Sequence, residues 1–212
     1  MHTASLVSIT PGAEDQIVYC ARVSNPANQE NTKTGAKLLR FCMKHGHWSI
    51  FEQAHMTVEI NTTPDISRQI LRHHSFRFQE FSTRYSDVTQ LGNFVIPELR
   101  EQDTKNKQNS TDTLDPGFKG LASASIVSLF GQAFELYSYL LENGVAKECA
   151  RAILPIGGIR TRLYASANVR DWIFYLKART SKGTQLEHRR VAESILEIFA
   201  EQLPVVHEAA FE

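Results

Sequence analysis

Cysteine is scarce in this chain of 212 residues: there are three, Cys20, Cys42 and Cys149, far apart and with no CxxC pair. That usage argues against a zinc site and fits a reducing compartment. Each lies in an apolar helical setting and reads as a small buried hydrophobe. An excess of one charge is also missing, since Lys plus Arg and Asp plus Glu both number 23. A nonspecific nucleic-acid binder carries a basic footprint, so the balance counts against that class. No apolar run is long enough to span a bilayer, and the N-terminus lacks a basic region followed by an apolar run. The expectation is a soluble, cytoplasmic protein with no membrane partner. P-loop, GxGxxG, HExxH and Ser-His-Asp signatures are absent, as are internal repeats and low-complexity tracts.

What is present is arginine, 14 residues against 9 lysines, within a chain that is 42% apolar. The excess favours oriented contacts to oxyanions over a diffuse positive field. The apolar share supports one large domain or two small ones. The densest chemistry is Arg72-His73-His74-Ser75-Phe76-Arg77-Phe78-Gln79-Glu80-Phe81-Ser82-Thr83-Arg84-Tyr85. It lacks clear helical or strand periodicity and reads as an ordered loop leaving a helix. Such a loop is costly to fix without a ligand, and its guanidinium groups suit phosphate.

Around it, Leu6–Ile9 and Ala54–Asn61 read as strands and Ala13–Val23 as a helix. Thr34 is expected to cap a helix over residues 35–45. Ser49 and Glu52 have capping-box spacing. Thr63-Pro64-Asp65 opens a helix expected to reach about His74, with Arg68 and Arg72 on one face and Gln69 and His73 on the next. Residues 98–119 form a polar connector. A long helix follows to Glu142, with Ile126, Leu129, Phe130, Ala133, Tyr137, Leu140 and Leu141 as its apolar stripe. A short helix over 146–154 carries Glu148 and Arg151, which read as a surface ion pair. Residues 159–167 alternate as a strand with a basic face, Asn168 caps a helix over 169–179, and the last long helix spans 184–201. Pro204–Phe211 reads as a short tail. The residues alone point to a protein binding a phosphorylated small molecule with an aromatic ring.

Arg72-His73-His74, seven residues, then Ser82 resembles the signature of the flavin-dependent thymidylate synthases, whose usual form is Arg-His-Arg, seven residues, Ser. Ala21-Arg22-Val23-Ser24, Lys44-His45-Gly46-His47, Phe51-Glu52, Arg68-Gln69, Ala150-Arg151, Asn168-Val169-Arg170, Leu176-Lys177-Ala178-Arg179 and Gln185-Leu186-Glu187 resemble it in the same order. The resemblance implies a single domain over residues 1–212, of α/β (α+β) class, with a mixed sheet flanked by long helices and assembled as a homotetramer. It implies reductive methylation of dUMP to dTMP, with FAD bound between subunits. Methylenetetrahydrofolate would supply carbon and NADPH would reduce the flavin. No cysteine nucleophile is needed in that chemistry.

By position, the resemblance assigns Ser49, Arg72, His73, His74, Glu80, Asn168 and Arg170 to FAD, with Ser24 a weaker candidate. It assigns Gln69, Arg72, Glu80, Phe81, Ser82, Thr83, Arg84, Arg151 and Arg179 to dUMP, drawn from more than one subunit. Arg179 would sit at the uracil edge and stabilise the anion left by loss of the imide proton. Ser82 would serve in binding, and His47 would stand near folate or flavin. This chain departs from the pattern in four places. His74 stands where arginine is usual, Gln79 where Asn is common, Gln53 where His is common, and Phe174 where Asn is often found. Two other readings remain. One is a single-strand-binding module with Phe76, Phe78 and three arginines as a stacking platform. The other is a flavoprotein of this fold without methyl transfer.

Overall fold

Alternation of apolar and polar residues over His55–Thr62 builds the central strand of the molecule, β2. Met56, Val58 and Ile60 are wholly buried on one side, while Thr57 and Glu59 face the other. The computed structural model describes residues 1–211. β1 (Thr3–Ile9) pairs with β2, and the first helix, α1 (Ala13–Ala21), follows it. Next come α2 (Gly35–Lys44), a 3-10 turn over Trp48–Gln53, β2, and α3 (Pro64–Ile70). A short strand β3 (Arg77–Glu80) leads to a small hairpin of β4 (Glu101–Gln102) and β5 (Ser110–Thr111). The long helix α4 (Pro116–Glu142) and the short α5 (Lys147–Ala150) precede β6 (Thr161–Asn168). Three helices close the chain: α6 (Val169–Arg179), α7 (Leu186–Gln202) and α8 (Pro204–Phe211).

The main sheet has the order β1-β2-β6-β3, and every pairing is antiparallel. The expected mixed sheet is therefore corrected: its neighbours are reached by crossovers, yet no two run parallel. One face carries the core, with Ile17, Leu39, Trp172, Ile173, Leu176, Val191, Ile195, Phe199 and Val206 packed over the strands. Trp172 lies fully buried and donates its indole N–H to the Met56 carbonyl at 2.9 Å, so its one polar group is satisfied. A second, smaller core joins Tyr137 of α4 to Val88, Ala150, Leu154 and Ile159. No described helix is long and apolar enough to cross a membrane.

Several local expectations are corrected. α3 stops at Ile70 because Phe76 turns inward, packing on Trp172 at 4.6 Å and Tyr175 at 5.5 Å between centroids. The supposed loop contains β3, which pairs with β6 as Phe78 opposite Ala165 and Glu80 opposite Leu163. Its alternation was hidden because Glu80 stands where an apolar residue would continue the pattern. Thr34 does not cap α2; its hydroxyl accepts from Arg22 Nη2 at 2.7 Å. No capping box forms at Ser49, since Glu52 turns to Arg170. The connector holds the β4–β5 hairpin, and the expected C-terminal tail is helical. Leu129 leaves the inner stripe of α4 and is 63% exposed, and Cys149 is exposed where a buried thiol was expected.

Candidate active site

Sheet pairing carries the residues after β3 against the start of β6. The Phe81 N–H donates to the Arg162 carbonyl at 2.9 Å, which holds the following Ser82-Thr83-Arg84 in place. Glu80 is pinned by two hydroxyls: Ser67 Oγ at 2.7 Å and Thr161 Oγ1 at 2.8 Å both reach its Oε1. That carboxylate ties α3, β3 and β6 together, so it shapes the site even where it touches no ligand.

Two open cavities, each of about 550 Å³, flank this junction. The first is bordered by Glu80, Phe81, Ser82, Thr83 and Arg151. Arg151 Nη1 donates to Thr83 Oγ1 at 2.7 Å, aligning the two side chains at its wall. The second is bordered by Gln69, Arg72 and Arg179. Arg68 and Ile156 line both. The structure thus brings the expected nucleotide residues together in two adjoining hollows. Arg84 stands beside the first, paired with Glu148 at 3.0 Å. Glu148 therefore engages Arg84, and Arg151 engages Thr83, instead of the two pairing with each other. Both members of the Arg84–Glu148 pair are more than half exposed, so the pair is weak and can give way to a phosphate.

Arg179, at the end of α6, donates from Nε to His73 Nε2 at 3.0 Å. His73 is therefore a neutral acceptor in this contact. Burial, then the Arg179 charge, then His74 depress its pKa to about 4. His73 also meets the Tyr175 ring edge-on at 4.9 Å. The charge on Arg179 is left unneutralised by this partner and remains available to an anion.

A third group lies at the other end of β6. His55 of β2 pairs with Asn168, which sets the 3-10 turn beside the start of α6. Asn168 Oδ1 accepts from the Asp171 N–H at 2.9 Å as the helix cap. Arg170 pairs with Glu52 and lies 5.8 Å from the centroid of Phe174, whose ring packs on Trp48. Ser49 is exposed on the same turn. His47 is exposed at its start, 6.2 Å from Phe41 and 6.3 Å from His45 between ring centroids. Within one chain neither His47, Ser49, Asn168 nor Arg170 borders the two cavities. Ser24 is exposed in the turn after α1 and also lies outside them. His74 is exposed and, like Arg72, has no side-chain hydrogen bond or ion pair among the described residues. The stacking platform falls away, because Phe76 is buried in the core and offers no face to a base.

Residues 5–205 match the profile of the family described as thymidylate synthase complementing protein. The chain belongs to that family. Among its relatives, a probable flavin-dependent thymidylate synthase of Paramecium bursaria Chlorella virus 1 is 46% identical, over 98% of each chain. A flavin-dependent thymidylate synthase of Synechocystis sp. is 48% identical over 91% of this chain and 87% of its own. In structure the family member superposes on a UMP/dUMP methylase, PolB, from Streptomyces cacaoi bound with 5-Br UMP. The TM-score is 0.85 at 29% identity, covering 98% of this chain and 92% of the other.

Sequence reasoning passed over four residues that the geometry adds. Arg68 lines both hollows, and its spacing four residues before Arg72 on one helix face was the available signal. Gln185 and Ile156 border the second cavity, and buried His188 lies behind it, hydrogen-bonded to Gln69. Nothing in periodicity separates His188 from the apolar face of α7 on which it lies.

Proposed function

We propose that the chain is a flavin-dependent thymidylate synthase that methylates dUMP to dTMP, taking carbon from methylenetetrahydrofolate and reducing equivalents from NADPH. The observation that carries the reading is the convergence of Ser82, Thr83 and Arg151 on one hollow and Gln69, Arg72 and Arg179 on the next, joined through Arg68. Hydroxyls and fixed guanidiniums at the first suit a nucleotide phosphate. Arg179 at the second suits a uracil edge, where a permanent cation favours the deprotonated imide. The names of the relatives and the ligand of the structural neighbour support the same substrate class.

The donor set fits FAD. Arg72 and His74 are exposed and have no side-chain partner among the described residues, which suits a pyrophosphate-binding pair. Arg170 and the Asn168 amide nitrogen lie with Ser49 and His47 at the other end of β6, and Glu80 shapes the junction. When bound and reduced, a flavin supplies a hydride to the pyrimidine. The protein's own residues bind and orient. Arg84 exchanges Glu148 for phosphate, Thr83 and Arg151 align it, Phe81 adds its backbone anchor, and His73 holds Arg179 at its angle. None of the cysteines borders either hollow, and burial pushes the Cys42 thiol up, which supports a reaction without thiol attack.

The separation of His47, Ser49 and Arg170 from both cavities supports sites completed across subunits of a homotetramer. The reading is tested by an absorbance spectrum of the purified protein with and without added dUMP, followed by turnover with dUMP, methylenetetrahydrofolate and NADPH. A flavin spectrum that shifts with dUMP, and dTMP formed at the expense of NADPH, is expected. Protein that takes up no FAD overturns the reading. Protein that holds FAD and dUMP without forming dTMP is instead a flavoprotein of this fold.

A further inference from the structure

The two carboxylates that border the first cavity, Glu80 and Glu148, are held in different ways. Glu80 is a fixed part of the junction, since Ser67 Oγ and Thr161 Oγ1 both donate to its Oε1. Glu148 is held from one side only. Arg84 Nε and Nη2 both reach its Oε2, at 3.2 and 3.0 Å, and no hydrogen bond to its Oε1 is found among the described residues. Both side chains are more than half exposed, so this pair opens at little cost. The backbone keeps Glu148 where it is. It lies on α5, three residues before Arg151, whose guanidinium is tied to Thr83 Oγ1 at 2.7 Å. A phosphate that takes Arg84 therefore leaves an unpaired carboxylate on the wall beside it. The cavity, about 550 Å³ and open to solvent, has room for a second phosphate, so size does not decide how many it accepts.

We propose that Glu148 is a specificity-determining residue: it competes with the nucleotide's phosphate for Arg84 and, once displaced, restricts the cavity to a nucleoside monophosphate by repelling the further phosphates of a di- or triphosphate. The inference rests on the dUMP reading above and deepens it. Guanidiniums alone grip the ligand with the most negative charge most tightly, so Arg68, Arg84 and Arg151 by themselves would favour a diphosphate. A carboxylate among them opposes that order, because its repulsion grows with each charge added beyond the first phosphate. The choice then comes from one repulsive group set among attractive ones.

The test is titration calorimetry of the FAD-loaded protein with dUMP and with dUDP, on wild type, Glu148→Gln and Glu148→Asp. Wild type is expected to bind dUMP more tightly than dUDP. In Glu148→Gln, dUMP should bind at least as tightly as in wild type. There dUDP should gain about fivefold or more beyond any gain in dUMP, the scale of one like-charge contact at about 4 Å in water. That gain should shrink as salt is added, since the charges are exposed. Glu148→Asp keeps the charge and should keep the wild-type ratio. Weaker dUMP binding in Glu148→Gln would mean that the carboxylate positions Arg84 for phosphate and does not compete with it, which overturns the proposal. A ratio that Glu148→Gln leaves unchanged, or that Glu148→Asp loses equally, overturns it as well. Wild type that binds no dUMP removes the functional reading together with this one. Wild type that binds dUMP, and dUDP as tightly, removes this one alone.

Discussion

Arg179 is held by a neutral imidazole, and this choice of partner decides what the guanidinium can do. A carboxylate would have cancelled its charge; His73 Nε2 orients it and leaves the charge for substrate. Arg179→Ala should therefore lower kcat about a hundredfold or more, the scale seen when one preorganised donor to a developing anion is removed, while flavin stays bound. Steady-state turnover and the visible spectrum check the two halves, and loss of flavin would contradict the role. The same burial makes stability pH-dependent. His73 and His188 both have pKa values depressed to about 4 from an ordinary 6.5, chiefly by desolvation. The unfolded chain binds their protons first as pH falls. Their contribution is thus fully present above about 6.5 and is lost as pH drops through about 4. Urea midpoints measured across that window should fall for wild type and fall less for His73→Asn. The individual side chains were legible where chemistry and local geometry coincide, as at Asn168, whose capping role follows from its place before α6. They were illegible where the partner is distant in sequence, as with Glu52 and Arg170 or Arg84 and Glu148.

At the scale of elements, β2, β6, α6 and α7 were readable because each has a face of one period throughout. β3 and the end of α3 were not, because a tertiary contact decided them: Phe76 is drawn into the Trp172 and Tyr175 cluster. The segment bearing most of the chemistry was thus the one whose shape propensity described least. Two substitutions probe how elements hold it. Asn168→Ala removes the side-chain acceptor for the Asp171 N–H and should cost about 1 kcal/mol. Gly158→Ala should cost about 1–3 kcal/mol. A Cβ there would meet Phe130 of α4 at 2.6 Å and Pro155 at 2.8 Å, in a segment whose carbonyl accepts from Val95. Both are read from urea unfolding monitored by circular dichroism. A neutral Gly158→Ala would show that α4 is free to shift.

Across the whole molecule, α4 has two apolar sides, which explains why Leu129 was grouped with the inward residues of its stripe. Phe130, Phe134, Tyr137 and Leu141 turn toward the smaller core, whereas Phe118, Leu121, Leu129, Leu136 and Tyr139 are exposed along another strip of the same helix. Periodicity registers both sides and cannot say which one the subunit fills itself. Leu121 is 75% exposed and Leu129 63% exposed, and this strip supports the proposed assembly of copies. Leu129→Glu should lower the sedimentation coefficient toward that of a smaller species and reduce FAD retention, since the cofactor residues are proposed to meet between subunits. A tetramer retained by this variant would place the contact elsewhere.

The proposed assembly through the outward strip of α4 also has a genetic consequence. In that assembly a defective copy that keeps Leu121, Leu129 and Leu136 intact would still be recruited beside healthy ones. A cell making Arg179→Ala alongside wild type should lose more thymidylate output than gene dosage alone predicts, and adding Leu129→Glu to the defective allele should relieve that interference.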